Sequence, residues 1–198
     1  MFFDLHRSDY TQQVSDPNAY SGKLRLLPAV WKTERLTIRD AEERDLPELR
    51  AVHSECAYVD ELTGFSEEGK DPTLLEFRGE SLPPNGRKEL QRFQAILETA
   101  SGAIVGHLIT YHGFPTDNTF WIGSFMIRPA YQRQKFGKEV MDALTMLIKG
   151  LSAYSAMGVG ILVGNDVGMK FWESCGFTNL VKTDDHGTHV TKWIMKPL

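Results

Sequence analysis

The sequence predicts a mixed α/β domain, a β-sheet covered by helices on both faces. Three observations carry this. Segments rich in β-branched and aromatic residues recur from Arg35 to Met195. Between them apolar residues repeat at helical spacing, most clearly from Gly137 to Lys149. The order reads β-α-(α)-β-β-β-α-β-α-β-β, and such a sheet buries its apolar surface only under helices on both sides.

The elements follow in turn. Residues 1–30 are polar and carry turn residues at Asp16-Pro17-Asn18 and Ser21-Gly22, so they read as an extension to a single domain over 31–198. Leu24–Leu27 is compatible with a short strand or helix that docks elsewhere. Arg35–Arg39 alternates as a strand does. Asp45, Pro47 and Glu48 predict a capped helix start, with Leu46, Leu49, Val52 and Cys56 on one face. Asp71-Pro72 opens a short helix through Phe77, and Pro83-Pro84-Asn85-Gly86 is a break. Arg92–Leu97 and Ala103–Tyr111 form a hairpin around Ser101-Gly102, and Phe120–Ile127 is a third strand. A helix follows from Gly137. Gly160–Val163 reads as a short buried strand, and Asp166–Cys175 as a helix stopped by Gly176. Thr178–Lys182 and His189–Met195 close the sheet.

Bulk properties narrow the function. The chain has 198 residues, 41% hydrophobic and 24% charged, which suits one globular domain. A net charge of −4 argues against nucleic acid as a main partner, because phosphate backbones require a basic stripe. Asp4 and Arg7 interrupt the start, so no secretory signal is expected, and no apolar run is long enough to span a membrane. A cytoplasmic location is the resulting expectation. Cys56 and Cys175 have no metal-type spacing and read as reduced, buried thiols; no metal site is expected.

One segment carries chemistry. Between strand Phe120–Ile127 and the next helix lies Arg128-Pro-Ala-Tyr-Gln-Arg-Gln-Lys-Phe-Gly137. A loop entering a helix presents unpaired amides to an anion, reinforced by the helix dipole. Gln132, Arg133, Lys135 and Lys138 add donors and positive charge, and Gly137 permits close approach to the backbone. Spacing alone equally allows a solvated basic turn. Neither a P-loop nor a dinucleotide fingerprint is present.

Ile127-x-Pro129-x-Tyr131-Gln132-x-x-x-x-Gly137 resembles the pyrophosphate-binding motif of the GNAT superfamily of N-acetyltransferases, Gln/Arg-x-x-Gly-x-Gly/Ala after a strand ending in Val/Ile-x-Pro. Lys135 stands where the middle glycine is usual, so it must adopt the glycine's backbone geometry or the loop must shift. Asn165-Asp-Val-Gly168-Met-Lys-Phe171-Trp172-Glu173-Ser-Cys-Gly176-Phe177 resembles the family's later motif, Asn-x-x-Ala-x-x-Phe-Tyr-Glu-x-x-Gly-Phe. Thr33-Glu-Arg-Leu36-x-Ile-Arg39 with Asp45 is similar to the opening of the ribosomal-protein-type branch.

The resemblance implies a mostly antiparallel sheet whose central strands splay, with acetyl-CoA entering the gap. It places the pantetheine along Phe125, Met126 and Ile127, and the diphosphate on Arg133, Gln134, Lys135, Phe136, Gly137 and Lys138, with Gln132 at the loop's head. Asn165 would contact the pantetheine or the amine, and Phe171 and Trp172 would wall the thioester arm. The implied reaction is direct attack of a primary amine (protein N-terminus, lysine or small molecule) on the thioester. A homodimer is compatible with the superfamily. Two departures matter. Trp172 occupies the position of the usual acid tyrosine, and an indole N–H does not give up its proton at useful pH. The strand Phe120–Ile127 lacks the base glutamate of many relatives, leaving His107, His112, Glu61 and Asp60 as candidate bases. Phe65, Phe77, Tyr111, Phe114, Phe120 and Trp121 are candidates for lining an acceptor site, with core packing as the alternative. These departures also fit a CoA-binding module with little or no chemistry.

Overall fold

The structure, a computed structural model, describes residues 26–58 and 71–198. Eight strands form one sheet in the order β1-β2-β3-β4-β5-β6-β8-β7. They are β1 (Val30–Lys32), β2 (Leu36–Asp40), β3 (Gln91–Glu98), β4 (Ile104–His112), β5 (Thr119–Ile127), β6 (Ala156–Leu162), β7 (Asn179–Asp185) and β8 (Val190–Pro197). All neighbours are antiparallel except β5 and β6, which run parallel. Among the described residues the α-helices are α1 (Leu46–Glu55), α2 (Pro72–Arg78), α3 (Phe136–Leu151) and α4 (Asp166–Ser174).

The helices divide between the two faces of the sheet. Val140, Met141, Leu144 and Ile148 of α3 and Trp172 of α4 join Leu36, Ile38, Ile96, Leu108, Phe120, Ile122 and Val159 in the main core. Leu49 and Val52 of α1 cover the other face, over Ala95, Phe93, Leu97 and Met126. Helix α2 starts after Asp71 as the sequence predicts; Asp71 caps it by accepting from the Leu74 amide and ties it to α1 through Arg50, 2.7 Å away.

Several boundaries differ from expectation, each for a local reason. The chain before Arg35 already contributes β1, and Leu27 is buried. Asp45 does stand at the start of α1, but its side chain does not cap it. Its carboxylate instead takes both Arg39 guanidinium nitrogens, at 2.6 and 2.8 Å, and the Glu42 amide. Strand β6 begins four residues before the expected Gly160. Its glycines disguise it. A Cβ on Gly158 would lie 2.7 Å from the Trp121 ring and 2.5 Å from the Met195 sulfur, so the strand has glycine where the indole lies across it.

Candidate active site

The parallel ladder between β5 and β6 runs from Thr119 with Ala156 to Ile122 with Val159, and stops there. Beyond it, β5 stays on β4 through Ile127 while β6 stays on β8 through Leu162. The two central strands therefore part after Ile122. The parting coincides with a β-bulge. Ile109 faces Ser124 and Thr110 faces Ile122, so Gly123 is the extra residue. Gly123 to Met126 are half-buried, although β5 lies mid-sheet.

The register sets which backbone groups enter the gap. The Arg128 amide donates to Val105 O on β4 at 2.9 Å. By the alternation of an antiparallel ladder, the N–H and C=O of Ile127 and Phe125 turn the other way, into the gap. Ile127 O accepts from Gln132 Nε2 at 2.8 Å and from Cys56 Sγ at 3.5 Å, both from outside β4. Phe125 stacks on Phe171 at 5.8 Å and meets Trp172 edge-on at 6.0 Å. These three rings wall the gap on the α3–α4 face.

The loop entering α3 is bent by two non-glycine residues in the left-handed region, Arg133 at φ 60° and Lys135 at φ 67°. Lys135 thus adopts the backbone geometry that the motif's glycine would supply. Each such residue costs roughly 1 kcal/mol, so the surroundings must hold it. The first turn of α3 offers the amides of Phe136, Gly137 and Lys138. Gly137 lies against the aromatic wall, where an added Cβ would come 3.1 Å from the Phe171 ring.

The hold comes from the segment before β2. Arg35 pairs with Glu139 at 2.6 Å, donates to Gln134 O at 3.0 Å and lies 4.3 Å over the Phe136 ring. Glu139 also accepts from Thr33 Oγ1 and the Arg35 amide. The residues of the opening motif therefore work as two clasps. Thr33 and Arg35 grip the loop and α3, and Arg39 grips Asp45 below α1.

Not every predicted donor reaches the loop. The Gln132 amide is turned to Ile127 O and the Gln134 amide to Ala130 O. Lys138 pairs with Asp142 one turn along α3. Arg128 is clasped by Glu48 and Glu55 of α1. Asn165 caps α4 through Gly168 N at 2.8 Å. A Cβ on Gly168 would lie 2.6 Å from the Asn165 amide nitrogen, so this chain's glycine, where the motif has alanine, gives that side chain room.

The candidate bases separate. His107 and His112 are five residues apart and point to opposite faces of β4. His112 is fully buried among the main-core residues. Its Nδ1 faces the Tyr154 hydroxyl at 2.5 Å, and its Nε2 accepts from the Leu27 amide at 3.3 Å. It fastens the chain before β1 to the core and is remote from the gap's α1 face. Burial holds its pKa down to about 4. His107 is buried on the α1 face, with Nε2 2.9 Å from Ser124 Oγ and its ring edge-on to Phe93. Burial pushes its pKa down to about 3. Asp60, Glu61 and Phe65 lie outside the described residues. Of the candidate lining aromatics, Tyr111 and Trp121 pack with Trp193 and Leu90, and Phe120 lies edge-on to His112. Sequence reasoning missed Ser124 and the Arg35–Glu139 clasp. Gly123 inside an aromatic strand was the available signal for the bulge that presents Ser124.

Neither thiol is poised to react. Burial pushes Cys56 up to about 11, with Glu55 adding to it, and burial raises Cys175 as well. In the native protein at neutral pH, both are expected to react at least about 10²-fold more slowly than a free cysteine peptide. Ellman's reagent with and without denaturant checks this. Among the described residues no cluster of three metal-ligating side chains exists, and no helix is long and apolar enough to cross a membrane.

Comparison with known proteins agrees with this geometry. The acetyltransferase from Thermus thermophilus has a TM-score of 0.64 at 17% identity, covering 85% of this chain and 100% of that one. The GNAT-family acetyltransferase from Bacillus anthracis has a TM-score of 0.62 at 16% identity, with coverages of 85% and 98%. The spermidine N-acetyltransferase from Vibrio cholerae, solved with CoA and spermine, has a TM-score of 0.61 at 13% identity, with coverages of 82% and 95%. At these identities the likeness is one of fold. No curated protein sequence matches the chain. Residues 37–177 match the Acetyltransferase (GNAT) family, a span that holds the parting strands, the loop into α3 and all of α4. The chain belongs to that family.

Proposed function

We propose that this protein transfers the acetyl group of acetyl-CoA to a primary amine by direct attack on the thioester. The carrying observation is the parting of β5 and β6 after Ile122. It leaves an edge of β5 where the Phe125 N–H and C=O and the Ile127 N–H suit the amides of a pantetheine arm, in the manner of an added strand. The loop from Arg133 to Lys138 turns its amides and the α3 dipole to the same region, which suits a diphosphate. Phe125, Phe171 and Trp172 supply an apolar wall for the thioester. The opening motif from Thr33 to Arg39 with Asp45, similar in sequence to the ribosomal-protein-type branch, supports placing the chain near that branch.

The test is thiol release from acetyl-CoA across a panel of amines, with CoA affinity measured separately by calorimetry. Amine-dependent release with CoA binding is the expected result. Failure to bind CoA would refute the site assignment. One observation favours a second reading, a CoA-binding module with little chemistry: Trp172 stands at the acid position and cannot protonate a thiolate. That reading predicts binding without release on any amine.

Lys135→Gly probes the loop. Relief of the left-handed strain and the added freedom of glycine in the unfolded chain nearly cancel, so stability is expected to move by less than about 1 kcal/mol. The loss of one ammonium beside the diphosphate is expected to weaken CoA binding roughly fivefold at low salt, and less at high salt. Calorimetry at two ionic strengths reads both effects.

A further inference from the structure

The pair His107–Ser124 lies on the α1 face at the bulge where β5 and β6 part, and no part of the cofactor site uses it. His107 is 3% exposed, and its Nε2 is 2.9 Å from Ser124 Oγ. Its Nδ1 is buried without a hydrogen-bond partner among the described residues. That asymmetry fixes the tautomer. A buried N–H donor left unmade costs more than a bare lone pair left in an apolar setting. The proton therefore belongs on Nε2, where Ser124 Oγ accepts it. One Ser124 lone pair is then filled, and the half-buried Oγ keeps a second lone pair for a donor. The imidazole meets Phe93 on β3 and Ser124 on β5, His107 lies opposite Ala95 and Met126 in the ladder, and His53 is the titratable group of α1 that acts on it. No described carboxylate contacts the ring to draw its proton onto Nδ1.

Resting on the transferase reading, we infer that Ser124, held by His107, receives the acceptor amine and aims it at the thioester. The neutral amine donates one N–H to Ser124 Oγ, which turns the nitrogen lone pair toward the acyl carbon. The lone pair forms the N–C bond, the C–S bond breaks, and sulfur keeps its electron pair. The amine's surplus proton leaves to water, and the thiolate takes a proton from solvent. His107 stays neutral throughout and acts as a positioning residue rather than a base. Burial agrees with that role, since it keeps the imidazole uncharged across the neutral range. The chemistry requires an amine delivered unprotonated, with at least one N–H, because an ammonium has no lone pair to aim.

The experiment uses the full chain with acetyl-CoA and two probe amines, n-butylamine and the less basic 2-methoxyethylamine. Ser124→Ala is expected to lower kcat about 10²-fold through lost alignment. Its Kd for CoA should stay within about twofold of the parent, because the cofactor wall is untouched. Ser124→Thr keeps the hydroxyl and should retain most of the activity. His107→Gln keeps an N–H near the Nε2 position and should retain more activity than His107→Leu. In the parent and in His107→Gln alike, the alkaline rise of the rate should follow the basicity of the amine used. A rate rise that ignores the amine and moves in His107→Gln would make His107 a base and overturn the inference. So would full activity in Ser124→Ala. If the parent binds CoA yet turns over neither amine nor any of the panel, the transferase reading fails, and Ser124's role fails with it.

Discussion

Arg39→Ala is expected to cost the fold about 3 kcal/mol, a large share of the roughly 5–15 kcal/mol that holds a domain together. Asp45 is only 5% exposed, and its carboxylate is held below the usual range chiefly by the Arg39 guanidinium. Removing the guanidinium leaves a buried carboxylate that keeps the hydrogen bond from the Glu42 amide. It must then protonate, or drag the start of α1 into water. Either response loosens the packing of Leu49 and Val52 on the α1 face. Urea unfolding should show a midpoint lower by about 1 M. Arg39→Met with Asp45→Leu should recover most of the loss, because two apolar groups leave no orphaned charge. A single variant within about 1 kcal/mol of the parent would mean that the pair behaves as a surface bridge.

That pair shows what the sequence reveals and what it hides. Asp45 was legible as the residue at the start of a helix, because its position before Leu46-Pro47 follows local rules. Its partner was not, because Arg39 reaches it through tertiary packing that periodicity cannot encode. The same division runs through the fold. Strands β3, β4 and β5 and helix α3 follow from period and composition, whereas β6 was read as starting only at Gly160 because Gly158, before it, owes its place to the Trp121 indole. β1 escaped notice because a strand of three residues with one buried side chain carries no usable alternation.

The site divides in the same way. The loop into α3 was legible from Ile127 to Gly137, and Lys135 takes the left-handed geometry that its motif position demands. The side chains were less legible. Gln132 and Lys138 looked like ligand donors because they cluster in sequence, yet each has a partner within the chain. His107 and His112 were both candidate bases, but an odd spacing on β4 sends them to opposite faces. Ser124 carried no signal of its own, since its placement depends on a bulge at Gly123 and on a histidine across the ladder.

The opposed histidines give the second large effect, a steep loss of stability in mild acid. His112 and His107 have folded-state pKa values lowered to about 4 and about 3, both chiefly by burial. In the unfolded chain each titrates near 6.5. Between these values the unfolded state binds more protons than the folded one, so stability rises with pH and is lost as pH falls through the window below about 6.5. Each histidine contributes at most about 1.4 kcal/mol per pH unit, so the two together approach about 2.5 kcal/mol per unit near pH 5.5. From about pH 7.5 to about pH 5.5 the expected loss is about 3 kcal/mol. Depressed carboxylates such as Asp45 lose their contribution only at lower pH, which leaves this interval to the histidines. Urea titrations at several pH values measure the slope. His107→Gln and His112→Gln should each remove about half of it, whatever their stability at neutral pH, since a variant's baseline does not alter the proton count. A parent slope below about 0.5 kcal/mol per unit would mean that both imidazoles become charged in place, with water reaching His107 behind Ser124 and His112 behind Tyr154.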